Sequence, residues 1–123
     1  MGHTILFIDD DDDWCLLVGN LLRDAGFQAR TAHTATEAIL QMGRSKPELI
    51  ILDANLHGQD GAIIRQFLSF TNPKVPIILY TGLAEEDQTV QIMLSMGHCR
   101  YLHKGPLDEL LLAVQKALNQ PWP

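Results

Sequence analysis

Glu48-Leu49-Ile50-Ile51-Leu52-Asp53 is a short aliphatic run that stops on a carboxylate. It shows no alternation of apolar and polar positions, so a strand here must be buried on both faces. That is the pattern of a parallel strand covered by helices. Three more runs share it: Thr4-Ile5-Leu6-Phe7-Ile8, Val75-Pro76-Ile77-Ile78-Leu79-Tyr80 and, more weakly, Arg100-Tyr101-Leu102-His103. A fifth, Phe27-Gln28-Ala29-Arg30-Thr31, alternates after Gly26 and reads as an edge strand.

Helical periodicity fills the intervals between these runs. Trp14, Leu17, Val18, Leu21 and Leu22 recur with helical spacing, with Asp12 or Asp13 placed to cap the start and Gly26 to end the helix. A second helix starts at Thr34 or Thr36, carries Ala38, Ile39 and Met42, and breaks before Pro47. A third runs from about Gly61 through Ile63, Ile64, Phe67 and Leu68 and stops before Pro73. The fourth holds Val90, Met93 and Leu94 and ends at Gly97; the last holds Leu107, Leu110, Leu111, Val114 and Leu118 before Pro121. The order β-α repeated five times predicts an α/β fold, a (βα)5 three-layer sandwich around a parallel five-stranded sheet. Five strands favour the flavodoxin-like order 2-1-3-4-5. One domain over 1–123 is expected, its core at about 4–119 and residues 120–123 a tail or the start of a linker.

Bulk properties agree with that reading. The 123 residues are 46% hydrophobic and 20% charged, the balance of a globular domain with one sizeable core. No apolar run approaches the roughly 18 residues that cross a bilayer, and Met1-Gly2-His3-Thr4 does not open a secretory signal. A cytoplasmic location without membrane insertion is expected. Nine basic and fifteen acidic residues give a net charge of −6, and the basic residues form no stripe, which argues against direct contact with nucleic acid. Cys15 and Cys99 lie far apart and read as small apolar fillers of a reduced protein. The five histidines show no ligand spacing.

Parallel strands bring all their C-terminal ends to one edge of the sheet, where ligands bind. The residues that follow the apolar runs are Asp9-Asp10, Asp53, Thr81 and Lys104. Three carboxylates, a hydroxyl and an ammonium should therefore share one pocket. Two carboxylates about 4 Å apart repel by about 4 kcal/mol at an effective dielectric near 20, so the cluster calls for a cation. All-oxygen ligands in a small site suit Mg²⁺ working beside a phosphate, with Mn²⁺ as a substitute. A Ser-His-Asp triad, a Cys/His zinc cluster and a Gly-rich phosphate loop are all missing from the sequence. What remains is a carboxylate nucleophile, a metal and two groups for phosphoryl oxygens, a set suited to acyl-phosphate formation. The blander reading, a solvated acidic helix start favoured by about 0.3–1 kcal/mol per residue, fits Asp11 to Asp13 better than Asp9 and Asp10.

The chain resembles the receiver domain of bacterial two-component response regulators, chemotaxis-regulator-like, over about residues 4–119. The resemblance rests on Ile5-Leu6-Phe7-Ile8-Asp9-Asp10-Asp11, on Leu52-Asp53-Ala54-Asn55-Leu56-His57-Gly58-Gln59-Asp60-Gly61, on Leu79-Tyr80-Thr81-Gly82 and on Tyr101-Leu102-His103-Lys104. It implies that Asp53 is the phosphoacceptor and that Asp9, Asp10, Asp53 and the backbone carbonyl of Asn55 hold Mg²⁺. It also implies that Lys104 and Thr81 bind phosphoryl oxygens, that Gly82 leaves room for them, and that Tyr101 moves inward as Thr81 turns. The implied donor is a histidine kinase or histidine phosphotransfer protein. The implied output surface is the fourth helix, fifth strand and fifth helix, with homodimerisation on phosphorylation as one outcome. Such a chain is a regulatory switch that catalyses only its own phosphorylation and dephosphorylation. Departures from the family pattern are His57 where Pro is usual, His98 where Ala is usual, Leu83 two residues after Thr81, and Gly105 between Lys104 and Pro106. Two other classes stay in view: a receiver-fold docking module that works without phosphorylation, and a phosphohydrolase of the haloacid-dehalogenase type built on Asp9 and Asp11.

Overall fold

The structure, a computed structural model, describes residues 2–58 and 60–119; the tail expected at 120–123 lies outside them. Five strands alternate with five helices: β1 (Thr4–Ile8), α1 (Asp12–Asp24), β2 (Gln28–Ala32), α2 (Ala35–Arg44), β3 (Leu49–Leu52), α3 (Asp60–Thr71), β4 (Ile77–Thr81), α4 (Gln88–Ser95), β5 (Cys99–His103) and α5 (Leu107–Asn119). All strand pairs are parallel and the sheet order is β2-β1-β3-β4-β5, the flavodoxin-like order expected from the sequence.

The central strands are buried because their side chains feed two separate cores. Leu6, Ile8, Ile50, Leu52, Ile77 and Leu79 face one layer of helices, with Ala38 and Met42 of α2, Ile64 and Leu68 of α3, and Val90 and Met93 of α4. Ile5, Phe7, Leu49, Ile51, Ile78 and Tyr80 face the other, with Val18 and Leu22 of α1 and Leu110 and Val114 of α5. Each aliphatic side chain removed from water contributes roughly 1.5–3 kcal/mol, and nearly every residue of β1, β3 and β4 does so. The edge strand β5 is only half-buried, which is why its apolar signal is the weakest.

Helix boundaries depart from the expected ones in instructive ways. The N-cap of α1 is Asp11, not Asp12 or Asp13: its carboxylate accepts hydrogen bonds from the backbone N–H of Asp13 and Trp14. The buried stripe of α1 is Cys15, Val18, Gly19 and Leu22, while Leu17 is 49% exposed. Ile63 of α3 also faces outward at 45% exposure. Thr34 caps α2 by accepting from the N–H of Glu37. Gly26 and Gly97 follow α1 and α4 with φ of 95° and 84°, the left-handed conformation that ends a helix without a Cβ clash.

Candidate functional site

Register places the site. β1 and β3 pair with Ile8 opposite Leu52, so Asp9 and Asp53 leave adjacent strands side by side. The ladder continues one residue past each strand: Asp53 N–H donates to Ile8 O at 3.0 Å and Asp9 N–H to Ala32 O at 3.0 Å. On the far side Lys104 N–H donates to Thr81 O at 2.8 Å, which anchors the residue after β5 to the end of β4. Backbone hydrogen bonds thus hold the roots of all four side chains before any side-chain contact is counted.

The side chains then converge. Asp9 is fully buried, Asp53 is 5% exposed and Asp10 is exposed, and one oxygen from each lies within 4.8 Å of the others. The Lys104 ammonium sits 2.6 Å from Asp9 Oδ2 and 3.0 Å from Asp53 Oδ2. Asp9 Oδ1 accepts from Asp11 N–H at 2.9 Å, and Asp53 Oδ1 accepts from Asn55 N–H at 3.0 Å. Asp9 Oδ2 has no hydrogen bond of good angle, and its compensation is the ion pair with Lys104 alone.

One ammonium lies against two buried carboxylates, and the proton affinities of Asp9 and Lys104 respond. Burial pushes the Asp9 carboxyl above its ordinary value, and the Asp53 charge adds to this against the lowering influence of Lys104 and the Asp11 N–H. Burial by itself would lower the Lys104 ammonium, but the adjoining Asp9 and Asp53 carboxylates outweigh that and hold it above its ordinary value. The donor chemistry fits a small hard cation: clustered carboxylate oxygens, excess negative charge, and a buried oxygen lacking a well-directed donor.

The remaining expected residues are placed as follows. Thr81 is fully buried, and its Oγ1 accepts from Leu83 N–H at 3.2 Å. A Cβ at Gly82 would meet nothing within 4 Å, so the space beside it is open. The Tyr101 ring is half-buried and its hydroxyl donates to Leu83 O at 2.6 Å. Leu83 therefore engages Thr81 through its N–H and Tyr101 through its carbonyl oxygen. The Lys104–Gly105 peptide is trans. His57 is exposed. Two clefts of about 350 and 360 Å³ lie elsewhere, one along α3 and one beside the end of α2; neither is lined by a carboxylate.

A family model described as the response regulator receiver domain matches residues 5–115. The chain belongs to that receiver family. Among relatives of this receiver domain is the nitrogen assimilation regulatory protein NtrX of Azorhizobium caulinodans, 31% identical over 122 residues. The match covers 97% of this chain but 27% of the relative, so the receiver spans about a quarter of that protein's length. The crystal structure of NtrX from Brucella abortus superimposes with a TM-score of 0.87 at 29% identity, over 97% of this chain and 28% of that one. A two-component response regulator from Clostridium difficile gives a TM-score of 0.81 at 31% identity, over 95% of each chain.

Within this receiver domain one contact escapes a sequence reading. Trp14 lies over the Lys104 ammonium, with Nζ 5.0 Å from the ring centroid, and meets Tyr80 edge to face at 5.6 Å. The sequence offers no spacing that joins α1, β4 and the residue after β5, so only the tertiary structure reveals the contact. Asp11, which the phosphohydrolase reading requires beside Asp9, is committed to capping α1.

Proposed function

We propose that this receiver domain accepts a phosphoryl group on Asp53 and thereby switches a partner-binding surface. The observation that carries the reading is the convergence of Asp9, Asp10, Asp53 and Lys104 at the ends of β1, β3 and β5. Asp9, Asp10, Asp53 and the backbone carbonyl of Asn55 would hold Mg²⁺. When bound, the cation supplies charge neutralisation and orientation of phosphoryl oxygens.

The chain's own residues supply the rest. A carboxylate oxygen of Asp53 attacks phosphorus in line as the bond from phosphorus to the donor's imidazole breaks, leaving an aspartyl phosphate and a free imidazole. Lys104 stands 3.0 Å from Asp53, within reach of a phosphoryl oxygen once one is attached there. Thr81 turns its hydroxyl away from Leu83 N–H to donate to the same group, over the open space beside Gly82. Tyr101, bonded to Leu83 O, follows that loop inward.

A histidine kinase or histidine phosphotransfer protein is the fitting donor, in the cytoplasm. Among the described residues no helix is long and apolar enough to cross a membrane. The output surface is α4-β5-α5, where Ile92, Met96 and Leu112 are each 52% exposed. Incubation with Mg²⁺ and a small phosphodonor, read by intact mass, tests the reading. One phosphoryl adduct is expected on the wild type and none on Asp53→Asn. A wild type that stays unmodified would overturn it.

A further inference from the structure

Lys104 is followed by Gly105, whose backbone is the most permissive of any residue, before the chain reaches Pro106, yet the Lys104 ammonium must reach two carboxylates across the sheet edge. Two aromatic side chains supply the constraint. Tyr80 is fully buried, and its hydroxyl accepts from Gly105 N–H at 3.2 Å while donating to Gly105 O at 3.1 Å, clasping both polar groups of that residue. The Tyr80 ring meets Trp14 at 85°, and the Trp14 face lies toward Lys104 Nζ at 5.0 Å. The negative face of an indole attracts an ammonium, and more so where water is excluded. Trp14 itself is fixed at the first turn of α1, where its backbone N–H donates to Asp11 Oδ1 at 3.3 Å. The result is a closed circuit: Trp14 against Tyr80, Tyr80 on Gly105, and Lys104 back over Trp14.

We propose that Trp14 and Tyr80 are positioning residues that hold Lys104 in its phosphoryl-binding orientation, Trp14 from the side of the ring and Tyr80 through the Gly105 peptide. The proposal rests on the phosphoacceptor reading for its functional consequence, and on geometry alone for the contact itself. Lys104 has thirteen per cent of its side chain exposed and so has room to leave the carboxylates for water if nothing holds its stem. Trp14 closes that route on the α1 side.

A double-mutant cycle separates positioning from plain packing. Trp14→Leu, Trp14→Phe, Lys104→Met and the Trp14→Leu/Lys104→Met double variant are compared in two assays. One is the rate of phosphorylation by a small phosphodonor with Mg²⁺; the other is urea unfolding without donor or metal. Trp14→Leu should slow phosphorylation about three- to fivefold, the worth of a part-buried cation–π contact, and Trp14→Phe should recover most of that loss. In the Lys104→Met background Trp14→Leu should have no further effect on the rate. Its effect on the unfolding constant should likewise be about three- to fivefold smaller there than in the wild type. Equal effects of Trp14→Leu in both backgrounds, in both assays, would make Trp14 a packing residue and overturn the proposal. A wild type that takes no phosphoryl group, with the unfolding cycle still coupled, would defeat the phosphoacceptor reading and leave the contact standing.

Discussion

Asp9→Asn should make the metal-free protein more stable, although it removes a salt bridge. The Lys104 ammonium at 2.6 Å attracts the Asp9 carboxylate by about 6 kcal/mol at an effective dielectric of about 20. Asp53, with an oxygen no farther than 4.8 Å, repels it by at least about 3.5 kcal/mol on the same scale. Exposed Asp10 adds a smaller, solvent-screened repulsion. At most about 3 kcal/mol of attraction survives, against the several kcal/mol that burying a carboxylate typically costs. The deficit agrees with the raised proton affinity of Asp9. Asparagine keeps the shape without the charge, and a gain of about 1–2 kcal/mol is expected, or about 4–10 °C in Tm. The assay is urea and thermal unfolding in chelator, then with excess Mg²⁺. Because the folded pKa of Asp9 lies above its unfolded value of 3.8, the native state binds the extra proton in that window. Wild-type stability therefore rises relative to Asp9→Asn as pH falls through it, and the gap closes toward acid. Mg²⁺ should stabilise the wild type and barely affect the variant. An Asp9→Asn protein less stable than wild type in chelator at neutral pH would refute the reasoning.

The other predictions concern neighbours of the same cluster. Lys104→Met leaves Asp9 and Asp53 facing each other unneutralised, and should cost about 2–4 kcal/mol in chelator by urea unfolding, partly restored by Mg²⁺. The Lys104 ammonium is held above its ordinary 10.5, so its contribution is complete below that value and is lost as pH rises through the higher folded pKa. Alkaline unfolding curves should show this decline in wild type and not in Lys104→Met. Asp11→Ala removes the cap of α1 and should lower stability by about 1 kcal/mol, seen as a lower Tm, with phosphorylation retained.

What the sequence disclosed, and what it withheld, follows from how each feature is encoded. The aliphatic run Leu49–Leu52 marks a doubly covered strand because every residue in it is buried, and the same logic fixed β1 and β4. Once five parallel strands were ordered, the residues after them had to meet, which is why Asp9, Asp53, Thr81 and Lys104 were legible as a group. The helix faces were read less well. Leu17 and Ile63 carry apolar side chains on the solvent side of their helices, and hydrophobicity by residue type cannot separate them from Val18 and Ile64 beside them. The α1 cap fell one residue earlier than the acidic run suggested, because any of several consecutive aspartates satisfies the pattern and only backbone conformation chooses among them. The engagement of Thr81 and Tyr101 with Leu83, and the Trp14–Tyr80–Gly105 circuit, depend on side-chain direction across elements remote in sequence. Spacing along the chain carries no trace of such contacts.

The central claim is that Asp53, backed by its neighbouring acids and Lys104, is the residue that takes the phosphoryl group. Peptide-level mass spectrometry of the phosphorylated protein tests it directly, with and without a chelator of divalent metal. The adduct should map to Asp53 alone and vanish in chelator. An adduct on any other residue, or one at Asp53 that forms equally well in chelator, would contradict the account.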